Sequence, residues 1–136
     1  KAMGLDLLLA MNQMACDESA SDLKPRGVLV VDSQLVTQVV YPRVVQIPFT
    51  QIAREKCGRE QMANIVALGA LSRFIPRMPA GAGLVSQQSM EVAVMSRIPP
   101  GTEKLNKLAF EEGIKAAAEI QKTLVFEEPS EDSDQV

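Results

Sequence analysis

The run Ala63-Asn64-Ile65-Val66-Ala67-Leu68-Gly69-Ala70-Leu71 sets the tightest condition on any fold of this chain. Projected at about 100° per residue, its apolar and small side chains cover nearly the whole helix surface. Only Asn64 and Ser72 break that surface, on one side. A helix without a wet face must be covered almost everywhere, either by the chain's own sheet or by another polypeptide. Ala63, Ala67, Gly69 and Ala70 permit close approach in both cases. The pattern points to a subunit more than to a self-sufficient enzyme.

At 136 residues the chain suits one compact domain, large enough to bury roughly two thirds of the surface an unfolded chain exposes. The net charge of −3 has its acidic excess largely in the last residues, so no phosphate-backbone or anionic-membrane surface is expected, and nucleic acid is disfavoured as a partner. The apolar runs from Leu5 to Met11 and from Val28 to Val31 fall far short of the roughly 20 residues that span a bilayer. No basic segment with a cleavage site precedes them, so no membrane association and a cytoplasmic location are expected. Cys16 and Cys57 form no CxxC pair and there is no histidine, which rules out the common zinc patterns and a four-cysteine iron-sulfur site built by this chain alone. The same composition provides no Ser-His or Cys-His nucleophile. Both cysteines read as inert thiols without a role. Lys1 stands almost directly before an apolar run, with no preceding turn, as though the chain opened mid-domain.

Leu5 to Met11 has the nearly continuous apolar character of a strand buried on both faces, ending at the polar pair Asn12-Gln13. Residues 13–21 read as a short helix closed by a Lys24-Pro25-Arg26-Gly27 turn. Val28 to Val31 is a second buried strand, ending at Asp32 and Ser33. Val44 to Ile47 is a third, stopped by Pro48. Leu35, Val36, Val39 and Val40 lack clean alternation and fit an edge or a loop equally. Thr50 is placed to cap a helix over Gln51–Cys57, with Gly58 just past its end. After the helix over Gln61–Phe74, the Pro- and Gly-rich segment Ile75–Gly83 reads as a loop. Ser86 then caps a helix to about Arg97, ended by Ile98-Pro99-Pro100-Gly101.

The longest helical pattern runs from Thr102 to Leu124, with Leu105, Ala109, Gly113, Ala116, Ala117, Ile120 and Leu124 on one face and alternating Glu and Lys over most of the remainder. Ala109, Gly113 and Ala116 make that face shallow, suited to packing closely across a sheet or another helix. The expected architecture is α/β: a mostly parallel, Rossmann-like sheet covered by helices on both faces. Residues 1–126 form the single domain, N-terminally incomplete, and 127–136 an acidic disordered tail.

Ligands of open parallel sheets bind beyond the carboxyl ends of the strands. That rule selects Asn12, Gln13, Asp32 and Ser33 as candidate cofactor-binding residues, with Phe49 and Thr50 beside them. Each has a local alternative: Asn12 and Thr50 as helix caps, Asp32 and Ser33 as turn formers. No catalytic set and no metal site emerge. There is no Walker lysine loop and no GxGxxG, and Gly81-Ala82-Gly83 lies between two helical patterns instead of after a strand.

Leu9-Ala10-Met11-Asn12-Gln13, Leu23 through Ser33, Ile47-Pro48-Phe49-Thr50-Gln51-Ile52-Ala53 and Asn64 to Gly69 follow one another in an order that resembles one family. Pro99-Pro100-Gly101-Thr102, Leu105-Asn106 and Ala109-Phe110-Glu111-Glu112-Gly113 extend the likeness. That family is the gamma subunit of 2-oxoacid:ferredoxin oxidoreductases, acting for instance on 2-oxoglutarate or pyruvate. Members resemble this chain plus an N-terminal strand, a GxGGQG turn and a helix. That unit is absent from this sequence, so no residue inherits its role. The Ile75–Gly83 loop is also longer than the family pattern leads one to expect.

The resemblance implies an assembled enzyme that decarboxylates a 2-oxoacid on thiamine diphosphate, passes electrons through iron-sulfur clusters to ferredoxin and releases an acyl-coenzyme A. Thiamine diphosphate and the clusters would belong to other subunits, with no cofactor bound by this chain alone. Asn12, Gln13, Asp32 and Ser33 would lie near coenzyme A. General similarity favours 2-oxoglutarate. The competing classes are a free-standing Rossmann-like nucleotide or coenzyme A binding protein and a non-catalytic assembly subunit.

Overall fold

The structure, a computed structural model, describes residues 5–41, 43–77 and 86–121. Its contacts divide the chain between Asn64 and Ile65 into two compact units. The first holds β1 (Leu5–Ala10), α1 (Gln13–Ser19), β2 (Leu23–Asp32), β3 (Val44–Ile47) and α2 (Phe49–Cys57). The strands form one sheet in the order β1-β2-β3, with both pairings parallel, so the α/β class expected from the sequence is the one observed.

Successive residues of a strand face opposite sides of a sheet. Val28, Leu29, Val30 and Val31 are all buried, so both faces of β2 are dry. This accounts for an uninterrupted apolar run in place of alternation. On one face Leu29 and Val31 join Ala10, Cys16 and Val36 in a core, with Leu8, Ala15, Leu23, Val39, Tyr41 and Val44 packed against it. Each fully buried Val or Leu contributes about 1.5–3 kcal/mol. Val36, ambiguous in sequence, is thus a core residue of the segment returning from β2 to β3, with Val39 half-buried against that core, whereas Val40 is exposed.

Two local expectations are corrected. Lys24-Pro25-Arg26-Gly27 does not close the preceding helix as a free turn; it lies within β2. Leu5 pairs with Leu23 and Leu7 with Val28, so these residues bulge opposite Asp6 alone. The Tyr41 hydroxyl, 2.8 Å from the Gly27 carbonyl and 3.0 Å from that of Lys24, fastens the bulge. Thr50 is not the cap of α2, which starts at Phe49 with Pro48 in the capping position and no side-chain cap of its own. Gly58 ends α2 as expected, in the left-handed region at φ 74°, where glycine carries no Cβ penalty.

The second unit contains α3 (Ala63–Phe74, whose first two residues belong to the first unit), α4 (Gln87–Met95) and α5 (Glu103–Gln121). Val66, Ala67, Ala70, Ser72 and Phe74 are fully buried, and the Ser72 hydroxyl donates to the Gly69 carbonyl at 2.6 Å. Asn64 in the first turn is exposed, whereas Ser72, the other polar break in α3, is buried. Part of its cover is α5. A Cβ added to Gly69 would overlap the Phe110 carbonyl, and one added to Gly113 would overlap the Val66 carbonyl. Ser86 caps α4 in a reciprocal arrangement with Ser89, each side chain accepting from the other's backbone N–H. Of the face expected on α5, Ala109, Gly113 and Ala117 are buried and Leu105, Ala116 and Ile120 half-buried, while Asn106 and Phe110, outside that expected face, are buried as well. The expected loop is a 3-10 turn over Ile75–Arg77, while Gly81-Ala82-Gly83, the continuation of α5 to Leu124 and the acidic segment 127–136 lie outside the described residues. Among the described residues no helix is long and apolar enough to cross a membrane.

Candidate functional site

Because the strands are parallel, their carboxyl ends share one edge, and the four candidate residues stand along it. The Asn12 Oδ1 accepts from the Ala15 N–H at 2.8 Å and caps α1, while the side chain stays exposed. Gln13 spans two connections. Its Nε2 donates to Asp17 Oδ1 and to the Gln38 carbonyl, both at 2.9 Å, and its Oε1 accepts from the N–H groups of Thr37 at 3.0 Å and Gln38 at 3.1 Å. One amide thereby ties the connection after β1 to the one after β2.

Asp32 is fully buried at the end of β2. Its Oδ1 accepts from the Gln34 N–H at 3.0 Å, and its Oδ2 accepts from both the Thr50 N–H, at 2.9 Å, and the Thr50 hydroxyl, at 2.6 Å. The carboxylate therefore caps α2 from a different strand, replacing the cap that Pro48 cannot supply. Ser33 prolongs the sheet, its N–H donating to the Ile47 carbonyl at 3.0 Å. Two residues that sequence reasoning passed over complete the edge: Gln34 Nε2 donates to Gln51 Oε1 at 2.5 Å, and Gln51 Nε2 to Glu55 Oε2 at 2.9 Å. Their only sequence signal is polarity just beyond a strand end; the pairing itself is tertiary.

The electrostatics limit what this edge can hold. The N-terminus of α2, a natural seat for phosphate, already has the Asp32 carboxylate on it. Met11 to Gln13, Asp32 to Leu35 and Pro48 to Gln51 include no Lys or Arg. A diphosphate would meet a buried anion and no counter-charge. An uncharged polar chain would meet the amides and hydroxyls of Asn12, Ser33, Gln34 and Gln51.

A cavity of about 550 Å³ lies elsewhere, toward the amino end of β2, between α1 and the returning segment, with Leu23, Leu29, Val39 and Tyr41 in its walls. Cys16 also lines it. Burial, with the Asp17 carboxylate adding to it, pushes the Cys16 thiol above its ordinary value, so the group stays protonated and is a poor nucleophile.

The family model of pyruvate ferredoxin/flavodoxin oxidoreductases matches residues 1–116. The chain is 40% identical over 124 residues to the 2-oxoglutarate synthase subunit KorC of Methanocaldococcus jannaschii, covering 88% of this chain and 63% of that one. It is 34% identical over 130 residues to the subunit of the same name from Methanothermobacter marburgensis, covering 90% and 66%. The gamma subunit of keto/oxoacid ferredoxin oxidoreductase from Geobacter sulfurreducens superposes with a TM-score of 0.73 at 41% identity, over 84% of this chain and 64% of that one. The 2-oxoglutarate:ferredoxin oxidoreductase of Magnetococcus marinus shares the fold, with a TM-score of 0.65 at 23% identity over 94% of this chain and 22% of that one. The chain thus spans a little under two thirds of the first of these relatives. With the match running through both units, the chain belongs to the pyruvate ferredoxin/flavodoxin oxidoreductase family.

Proposed function

We propose that this chain acts as the gamma-type subunit of a 2-oxoacid:ferredoxin oxidoreductase, a cytoplasmic complex that converts a 2-oxoacid, with coenzyme A, to an acyl-coenzyme A. The 40% identity to a 2-oxoglutarate synthase subunit across 88% of the chain carries this reading and favours 2-oxoglutarate as the substrate. Thiamine diphosphate and the iron-sulfur clusters belong, on this reading, to partner subunits, which also deliver the electrons to ferredoxin.

Asn12, Gln13, Asp32 and Ser33 form the surface nearest coenzyme A. Asn12, through the amide nitrogen that its capping Oδ1 leaves over, and Ser33 are the pair able to touch it. Gln13 and Asp32 act by fixing the connections around them, since their polar atoms already hold partners within the chain. The edge suits the uncharged, amide-bearing arm of coenzyme A; its phosphates need cations that this edge does not provide.

Affinity purification of the full-length protein from its native cells, followed by mass spectrometry and a coenzyme A-dependent viologen reduction assay, tests the assignment. Recovery of thiamine-binding and iron-sulfur subunits with 2-oxoglutarate-dependent reduction supports it. A lone, inactive chain would sink it. Asn12→Ala combined with Ser33→Ala should raise the KM for coenzyme A several-fold; an unchanged KM would reduce the chain's part to assembly.

A further inference from the structure

Gln34 and Gln51 stand on two connections that the Asp32 carboxylate holds in place. Its Oδ1 accepts from the Gln34 N–H at 3.0 Å, and its Oδ2 accepts from the N–H of Thr50, next to Gln51, at 2.9 Å. Both side chains therefore leave backbone clamped by one fully buried group. They join in a relay: Gln34 Nε2 donates to Gln51 Oε1 at 2.5 Å, and Gln51 Nε2 donates to Glu55 Oε2 at 2.9 Å.

The direction of this relay is set at its far end. A side-chain amide can turn over and exchange its oxygen for its nitrogen, but an ionised carboxylate only accepts. Glu55 therefore takes the Gln51 nitrogen, which leaves the Gln51 oxygen to take the nitrogen of Gln34; the reverse would set acceptor against acceptor at Glu55. The consequence falls on Gln34. Its Nε2 is committed to Gln51, and its Oε1 is turned away from Gln51, on an exposed side chain, with no hydrogen-bond donor among the described residues. Along the same edge Leu35, the next residue, and Met14, in the first turn of α1, are large apolar side chains left exposed.

Resting on the reading that coenzyme A meets this edge, we infer that Gln34 Oε1 accepts an amide N–H of the coenzyme A arm, and that Glu55, acting through Gln51, is the positioning residue that keeps this oxygen outward. A fixed acceptor between apolar side chains matches a chain in which amide N–H groups alternate with methylene and methyl groups. It does not match the phosphates, which are acceptors themselves.

Three variants, read in the assembled complex, test this. Gln34→Ala removes the acceptor, Glu55→Lys puts a donor at the end of the relay and so turns both amides over, and Glu55→Gln can still accept in the same place. The Kd for coenzyme A is measured by equilibrium titration and its KM and kcat by steady-state kinetics, together with inhibition by the bisphosphorylated adenosine head of coenzyme A without its arm. Gln34→Ala should raise Kd and KM about fivefold with kcat retained, the effect of one neutral hydrogen bond made equally in ground and transition states. Its inhibition by the head fragment should equal that of the wild type. Glu55→Lys should raise both constants about threefold, against the pull of its new charge on an anionic ligand, while Glu55→Gln stays within about twofold of the wild type. Unchanged coenzyme A binding in Gln34→Ala, or a Glu55→Lys complex that matches the wild type, overturns the inference and leaves the function standing; a wild-type complex that neither binds nor consumes coenzyme A removes both. Weaker inhibition of Gln34→Ala by the head fragment would put the contact outside the arm, and weaker assembly of that variant with the other subunits would make the amide a peptide group of a partner. Either result also overturns it.

Discussion

Asp32 is a buried carboxylate that no cation among the described residues neutralises; its compensation is the first turn of α2 and three hydrogen bonds. Asp32→Ala would leave the Thr50 and Gln34 N–H groups without acceptors and α2 without a cap. We expect a loss of about 2–3 kcal/mol in urea unfolding. Thr50→Val, which removes one hydroxyl bond but keeps the N–H contact, should lose about 1 kcal/mol. The sequence marked Asp32 as notable because it ends an apolar strand, and marked Thr50 as a cap because it precedes a helical pattern. That the first caps the helix of the second is invisible locally, since the partners are 18 positions apart. Cys16 gives a pH-dependent expectation. Its thiol is raised above 9.0, so the folded state holds the proton more tightly than the unfolded chain. Its contribution is then fully present below pH 9 and is lost as pH rises through the folded value. At pH 8, half-buried Cys57 should react with iodoacetamide well before Cys16, and mass mapping of the labelled peptides checks the order.

Small residues at helical spacing were legible in both α3 and α5, but sequence could not say whether each shallow stripe met a sheet, a partner or the other stripe. In the structure they meet each other: Gly69 lies on the Phe110 backbone and Gly113 on the Val66 backbone. Backbone atoms cannot swing aside as a side-chain tip can, so a methyl group at either position must push the helices apart. Alanine is the better helix former by about 1 kcal/mol, yet Gly69→Ala and Gly113→Ala should each destabilise by about 2–3 kcal/mol. Gly58→Ala is the control, because nothing lies within 4 Å of the added Cβ and only the left-handed backbone opposes it. About 1 kcal/mol is expected there. Guanidinium chloride unfolding of the three variants separates the mechanisms: similar losses at all three would mean that the two helices relax freely. The bulge at Lys24–Gly27 illustrates the reverse difficulty. Pro and Gly announced a break, but the bonds from Tyr41 and the parallel neighbour β1 absorb it into a strand.

For the molecule as a whole, parallel order and buried strands were readable because apolar runs without alternation require cover on both faces. The chemistry was not readable, for a physical reason: the carboxyl edge holds neutral amides, hydroxyls and one internally satisfied carboxylate, a set that can shape a ligand channel but brings no positive charge to an anion. The same deficiency makes a prediction about specificity in the proposed complex. A 2-oxoacid carries a carboxylate whose recognition calls for Arg, Lys or a cluster of donors. The residues along this edge include no cation. The substrate pocket should therefore be built by partner subunits, and changes at this edge should act on coenzyme A alone. In the assembled complex, Asn12→Ala with Ser33→Ala should leave the KM for 2-oxoglutarate within about twofold of wild type while that for coenzyme A rises, since only interactions made with one substrate are removed. Steady-state kinetics with each substrate varied in turn decides the matter. A parallel rise in the 2-oxoglutarate KM would mean that this edge reaches the reacting end of the substrate, and that the division of labour between subunits argued from its charge is wrong.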